Sequence, residues 1–163
     1  MIRNAVFLDR DGVINKNKDD YVKNVSELEI FPNTFESIKK LKDLGFFVIV
    51  ITNQSAINRG LMNHQDLKNI HKEIQIFLSQ DKTKIDSFYY CPHTPNENSI
   101  CRKPKTGLLL KAIHDFSIDV KNSWFVGDSE SDILAGQSVG CKTIKINDST
   151  NLERAVDIIL ISD

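Results

Sequence analysis

Hydrophobic positions fall into short apolar runs, separated by longer stretches in which they recur every three or four residues. Ala5–Leu8, Phe46–Ile51, Ser87–Tyr90, Ser123–Val126, Thr143–Ile146 and Ile158–Ile161 read as strands. FFVIVI is apolar throughout and rich in β-branched residues, the pattern of a central parallel strand covered on both faces. Between the runs, Phe35, Ile38, Leu41 and Leu44 form a helical stripe, with Asn33 and Glu36 as a capping box and Gly45 as a stop. Further stripes are Leu67, Ile70, Ile74, Phe77 and Leu78, then Leu109, Ala112, Ile113 and Phe116, then Ile133, Leu134 and Val139. Strand–helix alternation predicts a single α/β domain over residues 1–163, a three-layer Rossmann-like parallel sheet with helices on both faces. Nothing between the strands is long enough for a cap domain. Two irregular stretches, Asn15–Leu28 and Pro92–Gly107, follow strands, where parallel sheets form their ligand crevice.

Charge and composition exclude several classes. The chain has 21 basic and 22 acidic side chains, a net charge of −1, so no basic field draws it to nucleic acid or an anionic membrane. No apolar run approaches the roughly 20 residues of a membrane helix. The start, MIRNAVFLDRDG, lacks a signal-peptide shape. Three cysteines without such a signal point to a reducing compartment, and the expectation is a cytoplasmic monomer.

Chemistry gathers where the runs end. Asp9-Arg10-Asp11-Gly12 follows the first strand, and carboxylates at i and i+2 point to one side of an extended chain. An ionised Asp can attack phosphorus without a base, and a second carboxyl can pass a proton to the leaving oxygen and take one from water. DxDG alone is equally ordinary turn chemistry. Thr52-Asn53-Gln54-Ser55 ends the second run, with hydroxyl and amide groups suited to phosphoryl oxygens or to capping. Arg102-Lys103-Pro104 closes the second long loop; its cations suit a phosphoryl group, or are a solvated pair. Gly127-Asp128-Ser129-Glu130-Ser131-Asp132 places acids, or simple helix caps, at another strand end. Two carboxylates about 4 Å apart repel by roughly 4 kcal/mol at an effective dielectric near 20. A phosphate dianion adds to that repulsion, so the pattern calls for a hard divalent cation such as Mg²⁺.

Taken in order, Asp-x-Asp-Gly, Thr-Asn-Gln, Lys-Pro and Gly-Asp-x-x-x-Asp resemble the haloacid dehalogenase-like phosphatases. FLDRDGVIN, ITNQSAINRG, YYCPH, CRKP and VGD resemble its histidinol-phosphate and heptose-bisphosphate phosphatase branch, from about Ala5 to Ile146. The resemblance implies Asp9 as nucleophile and Asp11 as general acid and base. It implies Thr52 and Asn53 on the transferring phosphoryl group, Lys103 neutralising it, and Arg102 on substrate. Gln54, Ser55 and Arg59 are further candidate substrate contacts. Asp9, the Asp11 carbonyl and Asp128 would hold Mg²⁺, with Asp132 behind them. Cys91, His93 and Cys101 resemble a zinc loop, but Ser99 stands where a fourth ligand, a cysteine, is expected. That leaves either a weakened zinc site or a loop held by packing, with two free thiols. His64, His71 and His114 read as surface or structural.

The implied activity is Mg²⁺-dependent hydrolysis of a small phosphorylated metabolite through an aspartyl phosphate. A heptose-type sugar bisphosphate is the first candidate and histidinol phosphate the second. A nucleic-acid 3′-end phosphatase shares the Asp-x-Asp-Gly and Thr-Asn-Gln motifs, but the charge balance opposes it. A phospho-acceptor signalling domain uses similar residues in another order: here the presumed nucleophile lies in the acid pair and Asp128 follows Lys103. Selectivity is expected from the loops Asn15–Val25, Ser55–Asn63 and Cys91–Lys105.

Overall fold

The computed structural model describes residues 1–162. Five strands, β1 (Ala5–Leu8), β2 (Phe47–Asn53), β3 (Ser87–Cys91), β4 (Trp124–Gly127) and β5 (Lys142–Lys145), form one parallel sheet in the order β3-β2-β1-β4-β5. Helices α1 (Thr34–Asp43), α2 (His64–Leu78), α3 (Gly107–Phe116), α4 (Glu130–Val139) and α5 (Leu152–Ser162) cover it. The strands alternate faces at every residue. Val6, Leu8, Val48 and Val50 pack with Ile38, Ile74 and Val156 from α1, α2 and α5. Ala5, Phe7, Ile49 and Ile51 turn the other way, onto Leu109 and Ala112 of α3 and Ala135 of α4. Both faces are therefore apolar, which is why these strands read as continuous runs.

The sixth run is not a strand. Ile158–Ile161 lies inside α5, where Leu152, Ala155, Val156 and Ile159 are buried at helical spacing and the Asn151 side chain accepts from the Arg154 N–H at 3.0 Å. A four-residue apolar run has no period of its own, and packing against α1 decides it. The capping box expected at Asn33 is also absent, since that side chain makes no cap hydrogen bond. True capping boxes sit at Asn63 with Asp66 on α2 and at Ser129 with Asp132 on α4.

Strand order reverses at β1, which pairs with β2 on one side and β4 on the other. The segments after β1 and β4 thus emerge side by side at the sheet's carboxyl end, the place where such folds bind ligands. The Asp9 N–H bonds the Val126 carbonyl at 3.1 Å, tying the first acid to that junction.

Candidate active site

Asp9, Asp11, Asn53, Ser55, Arg59, Arg102, Lys103, Asp128 and Asp132 line one cleft of about 290 Å³, joined by Asn17 and Tyr21 from the first long loop. All three loops expected to set selectivity reach it. A larger cavity of about 750 Å³ shares Asp128 but lacks Asp9, Asp11 and Lys103. The acid–base groups therefore mark the smaller cleft.

Lys103 is the electrostatic centre. Its ammonium is buried and lies 2.6 Å from Asp132 Oδ1, 3.2 Å from Asp9 Oδ1 and 2.7 Å from the Ile51 carbonyl oxygen. Burial pulls its pKa down, but Asp9 and Asp132 outweigh that and hold the ammonium above its ordinary value. Asn53 seats this residue: its Oδ1 accepts from the Lys103 N–H at 3.0 Å and its Nδ2 donates to the Lys103 carbonyl at 3.2 Å. The Asn53 amide thus grips Lys103's backbone from the cleft wall. Thr52 is fully buried, and its hydroxyl accepts from Gln54 Nε2 at 3.0 Å. Gln54 lies behind the cleft and donates to Asp11 Oδ2 at 2.9 Å. Neither residue is among those lining the cleft.

The two acids of the first loop have opposite electrostatics. Burial raises the Asp9 pKa to about 7; Lys103 works against the rise, while Asp132, Asp11 and Asp128 add to it. An ordinary aspartate would be fully ionised at neutral pH, so its surroundings change this group. Burial also pushes Asp11 upward, but Arg10, Asn15 and Gln54 prevail and hold it below the usual carboxylate range. Arg10 is fully buried, with Nη2 2.9 Å from Asp11 Oδ1 and Nη1 3.3 Å from His71 Nε2. Burial, then the Arg10 charge, pushes the His71 pKa down to about 3, so its ring is neutral. Period and spacing reveal none of this second layer. Arg10's place between two acids is its single sequence signal.

Two glycines make the close approaches possible. Gly12 has φ +83°, and a Cβ there would overlap the Asp128 carboxylate. Gly127 likewise leaves room for the Asp132 side chain. Gly12→Ala should destabilise the fold by about 1–3 kcal/mol. Displacement of Asp128 should also lower kcat by about 100-fold, read by steady-state kinetics beside urea unfolding.

Comparison with known proteins agrees with this geometry. The model of the family described as polynucleotide kinase 3 phosphatase matches residues 5–154. The D-glycero-beta-D-manno-heptose-1,7-bisphosphate 7-phosphatase of Pseudomonas aeruginosa is 37% identical over 146 residues, covering 90% of this chain and 82% of that enzyme. Its Helicobacter pylori counterpart is 41% identical over 139 residues, covering 85% and 80%. The chain belongs to the heptose-bisphosphate phosphatase branch of the haloacid dehalogenase-like phosphatases. The crystal structure of D,D-heptose 1.7-bisphosphate phosphatase from B. bronchiseptica, complexed with magnesium and phosphate, superposes with a TM-score of 0.89 at 28% identity, covering 98% of this chain and 99% of that one.

Within that phosphatase family, this chain departs at the expected zinc loop. Cys91 and Cys101 form a disulfide, with Cα atoms 5.5 Å apart, so neither offers the thiolate that zinc requires. His93 Nδ1 instead faces Asn58 Nδ2 at 3.3 Å and Glu97 Oε1 at 3.4 Å. Ser99, in the expected fourth-ligand place, donates to Cys101 Sγ at 3.2 Å. The zinc expectation is therefore corrected. The bond also removes the cysteine-based argument for a reducing compartment, since such bonds are rare there. Among the described residues, no helix is long and apolar enough to cross a membrane.

The donor set suits a hard cation. Asp9, Asp128 and Asp132 each place a carboxylate oxygen within 4.8 Å of the others. Asp132 is already engaged, by Lys103 on Oδ1 and by the Ser129 hydroxyl on Oδ2 at 2.9 Å. Burial and then Asp132 raise the Asp128 pKa, as burial raises that of Asp9. Two oxygen ligands whose charges disfavour one another fit Mg²⁺, the ion in the B. bronchiseptica structure.

Proposed function

We propose that this phosphatase hydrolyses a small sugar bisphosphate of the heptose type through an aspartyl phosphate on Asp9. One observation carries the substrate reading. The cleft that holds Asp9, Asp11 and Lys103 also holds two guanidiniums, Arg59 and Arg102, whose hydrogen bonds go to Ser55 Oγ at 3.3 Å and the His93 carbonyl at 3.1 Å. Burial, then the Arg59 charge, lowers the Arg102 pKa, as expected of adjacent cations awaiting an anion. A second phosphate supplies that anion. The two relatives named for heptose bisphosphate support the same choice.

A carboxylate oxygen of Asp9 attacks phosphorus; the bond to the leaving oxygen breaks, and that oxygen takes a proton from Asp11. A phosphate dianion beside Asp11 favours the protonated form this step needs. Water then gives a proton to Asp11 and attacks the aspartyl phosphate, releasing inorganic phosphate and restoring Asp9. Lys103 neutralises charge at the phosphoryl group, held in place by Asn53. Asp9, Asp128 and the Asp11 carbonyl would hold Mg²⁺, which when bound supplies positive charge to the reacting oxygens.

Kinetics on paired substrates test the reading. Arg59→Met and Arg102→Met should each lower kcat/KM for a heptose bisphosphate by about tenfold or more. The same variants should leave hydrolysis of a sugar monophosphate nearly unchanged. Equal losses on both esters would reject the second-phosphate site, and preference for histidinol phosphate would replace the substrate. Activity lost to EDTA should return with Mg²⁺ alone; return with Zn²⁺ alone would overturn the metal assignment.

A further inference from the structure

Asp11, like Asp132, has both carboxylate oxygens already bonded. Oδ1 accepts from Arg10 Nη2 at 2.9 Å and Asn15 Nδ2 at 3.0 Å, and Oδ2 accepts from Gln54 Nε2 at 2.9 Å. A carboxylate has about four lone-pair sites, two on each oxygen. Three are filled, and the vacant one is on Oδ2.

The group that fixes this arrangement most firmly is a fully buried guanidinium. Among the described residues, Asp11 is the acid that Arg10 pairs with. On its far side Arg10 meets His71, whose ring stacks on Phe88 with centroids 4.3 Å apart and planes 15° from parallel. Helix α2 and strand β3 thus clamp the imidazole, the imidazole receives the guanidinium, and the guanidinium sets the carboxylate. Arg10, His71, Asn15 and Gln54 are all buried behind the cleft. They act through Asp11. A buried charge is costly, and well-packed apolar residues commonly serve stability as well or better, so stability alone does not account for Arg10 here.

We propose that Arg10, seated by His71, is a positioning residue for phosphoryl transfer. With Asn15 and Gln54 it fills three lone-pair sites of Asp11 and leaves the transferred proton one place, on Oδ2. This rests on the reading of Asp11 as acid and base. The chain of contacts then controls how well the leaving oxygen is protonated, and has little effect where that oxygen needs no proton.

Leaving-group dependence separates this role from a structural one. An alkyl phosphate such as the sugar bisphosphate leaves as an alcohol and needs the proton, whereas 4-nitrophenyl phosphate leaves as a stable phenolate. The quantity to compare is kcat/KM, which reports formation of the phospho-enzyme. His71→Leu should lower it about tenfold for the alkyl ester, part of the roughly 10²–10⁴-fold that general acid–base catalysis supplies. For the nitrophenyl ester the fall should stay within about twofold. His71→Gln offers an amide oxygen to Arg10 and should restore most of the alkyl-ester rate. Arg10→Lys keeps the charge without the fork and should repeat the selective loss, so it serves if His71→Leu fails to fold. Equal losses on both esters, no loss, or failure of His71→Gln to rescue would each overturn the positioning role. Asp11→Asn is the control. A selective loss there with uniform losses in the His71 and Arg10 variants rejects the positioning role alone, whereas no selectivity in Asp11→Asn rejects the Asp11 reading with it.

Discussion

Asp9→Asn is expected to lower turnover by about four orders of magnitude or more while leaving the fold intact. The amide keeps an oxygen for the Arg10 N–H, which bonds Asp9 Oδ1 at 2.8 Å. It also removes a negative charge that burial disfavours, so stability in urea should be equal to the parent's or higher. Lys103 retains Asp132 as its closer partner, at 2.6 Å, and is not stranded. The decisive measurement is kcat on a phosphomonoester beside a urea unfolding curve. Near-parental turnover from the variant would remove Asp9 as the nucleophile, and collapse of the unfolding transition would show that the carboxylate holds the fold.

Lys103→Met should damage both stability and activity. The ammonium lies between Asp9 and Asp132 with its side chain 2% exposed, so its loss leaves buried carboxylates facing one another. Breaking one side of such a pair costs about 3–5 kcal/mol. Loss of a cation aimed at the transferring group should lower kcat by about 10²–10³-fold. Adding Asp132→Asn to Lys103→Met should recover part of the stability and none of the turnover. Unfolding free energies and kcat for the two variants check this. Recovery of turnover in the double variant would mean that Lys103 serves only to balance Asp132.

Asp9 and Lys103 are legible in the sequence alone. Both follow from motif order, and the cleft contains them. The alternation of faces in Val6 and Phe7, or Val48 and Ile49, was equally readable, because a parallel strand between two helix layers has no polar side. Ile158–Ile161 is not legible as a helix because four apolar residues carry no period, and it is Ala155 and Val156, upstream of the run, that bury α5 in the core. Asn53 and Gln54 belong to a phosphoryl-binding motif by type, yet their amides are directed to Lys103 and Asp11. Which partner an amide takes depends on atoms some fifty residues away.

The sequence by itself determined that strand ends would carry two acids, an amide run, a cation and a second acid group, in an order that matches one phosphatase superfamily. It also determined the two-faced sheet, because apolar period and β-branching are local properties. Only the tertiary structure decided the charge states and the partners. Asp9 is pushed toward neutrality and Asp11 held ionised though two residues apart, because burial, helped by three other carboxylates, prevails at one and a buried guanidinium prevails over burial at the other. Cys91 and Cys101 bond to each other because the loop returns to the end of β3. Such outcomes depend on distance and burial, and those exist only once the chain has folded.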